Sequence, residues 1–430
     1  MTMSAVAAQP VSAPPAALPA RPRVLLLTHR LPYPPDRGDR IRSFHMVRTL
    51  ANHVDLAVAC TSEEPVWLQH HQLLNAMADR VAIHPILSSV SHVRGICAFA
   101  VGKPVTPSCY FRWGLMETLL QWDTEKPFDA VVTFCTSMIH YTRRLLASRQ
   151  LRNERARATG EPEVGPIRHV LDLVDVDSMK WRSYARSTWS PMKLVYWTEA
   201  RRLERIEQGK YDHFDAVTVV SQAEADAYRE HLGDHPGLAV VHNGVDINYF
   251  TPLPDPNRHT IAFVGVLNYK PNTQGLLWFV KNIMPGLRKR LPDAKLLIVG
   301  RHPTHKILDL QGTPGIEVVG SVPDVRQYLG QASAIIAPLR IARGIQNKVL
   351  EAMASGRVVV ASQGAAAGIS ARHNQHFLVA DTPDDWITCL HKTLTDADYR
   401  QSIAHEARKL VKQEYAWGNA MQAMIDLVRG

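Results

Sequence analysis

Ten short apolar runs alternate along this chain with helical patterns, and that alternation limits its fold more than any other feature. RVLLLT (23–28), VDLAVAC (54–60), DAVVTF (129–134), RHVLDL (168–173) and DAVTVV (215–220) fall in the first half. TIAFVG (260–265), AKLLIVG (294–300), IEVVG (316–320), AIIAP (334–338) and RVVVAS (357–362) fall in the second. Strands joined through helices pair in parallel, and a parallel sheet carries helices on both faces. Between the halves, VVHNGVDINYFTPLPDPNRH is rich in Pro, Asn and Asp, the composition of a connection. A chain of 430 residues also exceeds one core, which stops growing near roughly 250–300 residues. The expectation is an α/β protein of two doubly wound domains facing a cleft. The closing segment EYAWGNAMQAMIDLVRG reads as an amphipathic helix with Trp417, Met421, Met424 and Leu427 on one face.

Composition narrows the function. With 46% hydrophobic and 21% charged residues and no long apolar run, the chain reads as globular without a spanning helix. Its five cysteines, Cys60, Cys97, Cys109, Cys135 and Cys389, are scattered without CxxC spacing, which fits a reducing cytoplasm. A net charge of +9 implies an anionic partner. No nucleic-acid-binding motif is present, so phosphorylated substrates or an acidic membrane surface rank above nucleic acid. The Ala/Pro-rich residues 1–21 read as a disordered tail, with neither the basic start nor the apolar core of a signal peptide.

Ligands of doubly wound sheets collect where the carboxyl ends of the strands meet the cleft. RGIQNKVLEAMASG (343–356) reads there as a loop and a helix carrying Arg343, Asn347, Lys348 and Glu351. Lys and Glu three apart make either an exposed ion pair or a ligand pair, and spacing alone leaves both open. After the first run, THRLPYPPDRGDRIR (28–42) offers His29, Arg30, Gly38, Asp39 and Arg42. There a Gly-containing loop opening onto a helix can present N–H groups to a phosphate. The alternative is that Gly38 only permits a turn and the arginines are solvated. No GxGxxG follows this strand, which argues against hydride transfer. FVGVLNYKPN repeats the theme with Gly265, Lys270 and Asn272, and VGRHP does so with Arg301. LDLVDVDSMKW sets Asp172, Asp175 and Asp177 at a strand end, where carboxylates hold a metal, orient a sugar hydroxyl or simply cap a helix. Asp175 and Asp177 are the stronger candidates. None of the twenty histidines forms HExxH, and His29 faces the predicted cleft. The helical segment 141–158 has six arginines and one glutamate, either solvated or lying on an anionic membrane.

NGVDINYF (243–250), VGRHP (299–303) and KVLEAMASGRVVVAS (348–362) resemble family 4 glycosyltransferases of the GT-B fold. PYPPDRGDRIRSFH (32–45), LDLVDVDSMKW (171–181) and GIQNKVLEAMA (344–354) are similar to the sugar transferases of exosortase (PEP-CTERM) exopolysaccharide systems. The resemblance runs from about Arg23 to the C-terminus. It implies a Rossmann-like acceptor domain at 22–244, a Rossmann-like donor domain at 245–414, and a final helix, about 415–430, that packs back on the first domain. The implied activity is retaining transfer of a sugar from a nucleoside diphosphate donor to a glycan or lipid-linked acceptor in bacterial exopolysaccharide synthesis. It would run without metal or other cofactor, in a cytoplasmic protein peripheral to the inner face of the membrane.

By position, Glu351 matches the second Glu of the family's E-x7-E motif and would hold the donor ribose. Gly265, Lys270, Asn272, Arg301 and Asn347 would join it around the donor. Lys348, Arg343 and Asp177 would serve catalysis. His29, Arg30, Gly38, Asp39, Arg42 and Asp175 would form the acceptor and phosphate loop. Two departures stand out. Arg343 replaces the motif's first Glu, so a group that accepts hydroxyl protons has become a pure donor, suited to a diphosphate or an acidic sugar. Phe134-Cys135 stands where the family often presents a His. A nucleotide-sugar 2-epimerase and a non-catalytic scaffold on the same fold are the alternatives.

Overall fold

The computed structural model describes residues 21–187, 189–209, 213–339 and 345–430. The predicted tail, nearly all of it, and Arg343 lie outside these residues. The first sheet is built from β1 (Arg23–Thr28), β2 (Asp55–Ser62), β3 (Arg80–Pro85), β4 (Ala130–Phe134), β5 (Arg168–Val174), β6 (Ala216–Val219) and β7 (Leu238–Val240). Their order is β3-β2-β1-β4-β5-β6-β7, parallel throughout. The second sheet holds β8 (Thr260–Val264), β9 (Lys295–Val299), β10 (Ile316–Gly320), β11 (Ala334–Ala337), β12 (Val358–Ala361) and β13 (Leu378–Val379), in the parallel order β10-β9-β8-β11-β12-β13. Every residue of β1 and of β12 is buried, as helices on both faces require.

In each sheet the strand order reverses direction once, between β1 and β4 and between β8 and β11. Crossovers leave opposite faces on the two sides of such a point, and a crevice opens beyond the strand ends. The first crevice lies between His29 and Cys135, which follow β1 and β4. The second lies between Gly265, which follows β8, and the stretch after β11.

The helices that matter to the site are α1 (Gly38–Leu50), α2 (Ser88–Ala100), α3 (Val105–Tyr110), α4 (Ile139–Thr159), α5 (Asp177–Ser187), α6 (Met192–Glu207), α7 (Lys270–Asn282) and α8 (Asn347–Ala354). Two more, α9 (Trp417–Ala420) and α10 (Gln422–Arg429), close the chain. They sit in the first domain's core: Trp417, Met421, Met424, Ile425 and Val428 pack with Val24, Leu26, Met46 and Val47. Val428 is buried there, while Leu427, expected on that face, is only partly covered.

The chain therefore crosses between the sheets twice, and the crossings touch. Val245 N–H donates to the Tyr415 carbonyl at 2.7 Å, and Val245 bridges Ala416 in parallel. A Cβ on Gly244 would meet the Trp417 ring at 2.7 Å, so only glycine fits where the two passes meet. Downstream, the connection is fixed to the second domain. Arg408 donates to the carbonyls of Ile247 and Phe250, Arg357 to those of Leu253 and Pro254, and Arg400 pairs with Asp255 at 2.7 Å. The connection is thus anchored to the second domain from Ile247 onward, which leaves only its first few residues, beside 415–417, outside these contacts.

Candidate functional site

Two groups of side chains line the facing crevices. In the second domain, Lys348 is the second residue of α8, and its ammonium donates to Asn272 Oδ1 at 2.7 Å while lying 4.5 Å from the centre of the Phe263 ring. Asn272, buried in the first turn of α7, donates in turn to the Val266 carbonyl at 2.8 Å. The Lys348–Glu351 ion pair that spacing permits is not formed. Lys348 turns to Asn272 instead, and among the described residues nothing donates a hydrogen bond to the Glu351 carboxylate. Burial lowers the Lys348 pKa to about 7 against the upward pull of Glu351. Burial likewise raises Glu351 to about 7 against the pull of Lys348. A largely buried amine and a carboxylate, both held out of full solvation, lie side by side at the start of α8.

Gly265 completes this group. A Cβ there would stand 3.0 Å from Lys348 Nζ and 3.1 Å from Asn272 Nδ2. Gly300, at the end of β9, is tighter still: its Cβ would fall 1.7 Å from the Gly265 carbonyl oxygen. The two glycines let neighbouring strand ends meet without side chains, leaving backbone open to the crevice. Lys270 is exposed at the start of α7 rather than on a loop, and the buried Asn347 Oδ1 has no partner among the described residues.

In the first domain, the His29 ring stacks on Phe134 with centroids 5.8 Å apart and meets Tyr110 edge-on at 5.4 Å. Arg30 Nη1 donates to Asp39 Oδ2 at 2.7 Å and lies 3.3 Å from His29 Nε2. Burial, reinforced by the Arg30 charge, drops the His29 pKa to about 3, so the imidazole is neutral. Burial also pushes Asp39 upward, but the hydrogen bond and charge of Arg30 outweigh it and hold the carboxylate below its usual range. Gly38 begins α1 with open space around its Cβ position.

Asp177, at the start of α5, accepts from Thr136 Oγ1 at 2.6 Å, just past Cys135. Burial raises its pKa. Behind it Glu207 is fully buried, accepts the Ser178 N–H at 3.1 Å, and is pushed up to about 8 by burial and then by the Asp177 charge. Asp175 is exposed beyond β5, close enough to Tyr269 of the facing domain to act on its hydroxyl electrostatically.

Two expectations are corrected. Arg42 does not face the cleft: it is fully buried, donates from Nε and Nη2 to Asp172 at 2.9 and 2.7 Å, and from Nη1 to the Val241 carbonyl at 2.9 Å. It fastens α1 to the sheet, and Asp172, which also accepts from Thr218, is therefore no strand-end ligand. Arg301 does not stand free for a donor. It reaches across the cleft to Asp36, with Nη1 3.1 Å from Oδ2 and Nη2 on the Asp36 carbonyl.

The structure thus unites Gly265, Asn272 and Lys348 beside Glu351 in one domain, and His29, Arg30 and Asp39 in the other. The reading of residue types missed Phe263, Gly300, Tyr110 and Glu207, and noted Phe134 only as standing where the family often presents a His. Gly300 lay within VGRHP and was open to notice. The rest are an ordinary apolar strand residue, aromatics or a helix glutamate, with no local signal.

Known proteins provide a frame for this geometry. Sucrose-phosphate synthase of Thermosynechococcus elongatus superposes with a TM-score of 0.64 at 14% identity, covering 95% of this chain and 98% of the other. HepE of Anabaena in complex with UDP-glucose superposes at 0.60 and 14% identity, covering 95% and 99%. The fold is GT-B. Within it, residues 258–396 match the family model for glycosyl transferases group 1, which spans the whole Lys348 cluster. A GDP-mannose-dependent α-(1-6)-phosphatidylinositol monomannoside mannosyltransferase of Mycobacterium tuberculosis is 24% identical over 245 residues, 51% of this chain and 63% of that one. The chain spans between half and 63% of the length of the curated relatives it matches. Among the described residues no helix is long and apolar enough to cross a membrane.

Proposed function

We propose that this GT-B protein is a glycosyltransferase that moves a sugar from a nucleoside diphosphate donor to a glycan or lipid-linked acceptor, with retention of configuration. The observation that carries the reading is the cluster of Lys348, Asn272 and Gly265 beside a Glu351 carboxylate that has no donor among the described residues, at the reversal point of the second sheet. A carboxylate in that state can accept both hydroxyls of a ribose, and charge-assisted bonds of this kind are strong. Gly265 leaves room for a diphosphate to approach the backbone, and protonated Lys348 offsets the charge that builds on the leaving group. Across the cleft, neutral His29, the Arg30–Asp39 pair and Asp177 form the polar wall that an acceptor hydroxyl would meet. Closure over the hinge beside Gly244 would shut out water and suppress hydrolysis of the donor.

The group 1 match and the mannosyltransferase relative support transfer from a nucleotide sugar. The resemblance of PYPPDRGDRIRSFH, LDLVDVDSMKW and GIQNKVLEAMA to exosortase-associated transferases supports a role in bacterial exopolysaccharide synthesis, where a lipid-linked acceptor would be met at the inner face of the cytoplasmic membrane.

A panel of nucleoside diphosphate sugars, screened by thermal shift against wild type and Glu351→Ala, tests this reading. A donor present at 100 times its dissociation constant adds about 2.7 kcal/mol of stability. One stabilising donor, lost in Glu351→Ala and consumed only with an acceptor, is the expected outcome. Conversion of the donor alone to an epimer, or binding without turnover under any acceptor, would replace the proposal with the epimerase or the scaffold.

A further inference from the structure

Helix α2 is packed the wrong way round for a helix that needs only its own protein. The side it buries is made of small residues: Gly95 and Ala98 are covered, and Ser91 exchanges hydrogen bonds with Cys109 on α3. A Cβ at Gly95 would lie 2.9 Å from Cys109 Sγ and 3.1 Å from Val105, so the small residues are what let α2 lie down on α3. The large apolar residues turn outward. Val90, Val93, Ile96, Cys97 and Val101 share the opposite face at helical spacing, with Val93 60%, Ile96 71% and Val101 68% exposed. Globular helices turn such a stripe to the core. A protein surface that gathers large apolar side chains in this way marks an interaction site.

Helix α6 extends the surface. Glu199 accepts the N–H groups of Val105 and Thr106, and Arg202 donates to the carbonyls of Phe99 and Lys103, fixing α6 beside the end of α2. Its outer face carries Leu194 and Trp197, both exposed, with the Arg201 guanidinium 3.9 Å over the Trp197 ring. Trp189, just before α6, is wholly exposed.

Charge identifies the partner. From Arg80 to Met116, and again from Ser178 to Thr198, the sequence contains no Asp or Glu, while Lys103, Arg186 and Lys193 are exposed within these stretches. Large aliphatic side chains, tryptophans and a rim of cations without carboxylates are what an interfacial helix offers to acyl chains, headgroups and anionic phosphates in turn. We infer that the outer faces of α2 and α6 dock the protein on an anionic lipid bilayer, with α2 lying in the interface. The arginine-rich helix α4 is not the docking element: Tyr141, Leu145 and Arg149 are buried, and Arg149 and Arg152 are committed to Asp123. The docking face borders the first-domain crevice through Tyr110, which ends α3 and touches His29. It deepens the lipid-linked acceptor reading but needs no turnover, so the two fail separately.

Sedimentation of the full chain with phosphatidylglycerol-containing vesicles and with phosphatidylcholine-only vesicles tests the inference. Wild type is expected to bind the anionic vesicles, more weakly as salt rises, and V93E/I96E to bind at least about tenfold less. Both substituted positions are exposed, so unfolding curves should match wild type. K103E/K193E should weaken binding to anionic vesicles, and R155E/R157E on the outer side of α4 should not. Absence of wild-type binding, equal binding by V93E/I96E, or loss confined to R155E/R157E would overturn the assignment. So would a wild-type dimer in solution that V93E/I96E converts to monomer without any vesicle binding, since a second copy would then cover the face.

Discussion

Single residues decide more here than their types suggest. Arg42 reads as one of several loop cations, yet it carries a fully buried charge paired to an equally buried Asp172. Removing one partner of such a pair leaves the other uncompensated, which costs about 3–5 kcal/mol. Arg42→Met should lower unfolding stability by that order in a urea titration, and a loss below 1 kcal/mol would contradict a structural role. His169 gives a pH signature. Fully buried between Thr133 and the His213 carbonyl, it has its pKa lowered by burial from 6.5 to about 4. The folded imidazole stays neutral down to about 4 while the unfolded one takes a proton near 6.5, so the unfolded chain binds more protons in between. Stability should therefore fall as pH drops from about 6.5 towards 4, and His169→Gln should flatten that slope by on the order of 1 kcal/mol per pH unit.

At the scale of elements, the legibility of the sequence follows burial. Strands in the middle of each sheet are buried on both faces and read as continuous apolar runs, so β1, β4, β8 and β11 were evident. The strands that escaped notice are β3, with Arg80, His84 and Pro85, β7 with three residues and β13 with two, all on sheet edges where one side meets solvent. The site was legible in part for the same reason. Glycines and cations at strand ends announced Gly265, Lys348 and His29, whereas the aromatic walls around them look like core. Asp172 shows the limit of spacing, since only three positions separate this buried carboxylate from the exposed Asp175 just past the strand. The junction of β8 and β9 offers a test at this scale. Gly300→Ala would drive a methyl into the Gly265 carbonyl, at the start of the loop proposed to hold the donor. Donor affinity should drop by at least about tenfold while most of the fold survives, because the strain of a single clash, typically 1–3 kcal/mol, falls on the loop. Unchanged affinity by calorimetry would show that the loop does not read the donor.

For the whole molecule, the Arg301–Asp36 contact is the cation bridge that joins the two lips of the cleft. Both side chains are over a third exposed, so the pair itself contributes little stability, within about 1 kcal/mol. Its effect falls on the distribution between open and closed arrangements. Arg301→Ala should leave the unfolding midpoint almost unmoved while raising the radius of gyration measured by X-ray scattering without donor. A radius identical to wild type would mean that the hinge beside Gly244 holds the closed form unaided.

The double crossing also orders events at the ribosome. The sheet face formed by Val24, Leu26, Val132 and Val170 is covered by Met421, Met424 and Val428, which are translated only after the second domain. While the second domain is being made, the first waits with that face bare. Vectorial synthesis, which usually lets an amino-terminal domain finish early, here keeps it as an unfinished client with exposed apolar surface. Chaperone dependence of this protein should therefore reside in its first domain, although the missing piece is encoded beyond the second.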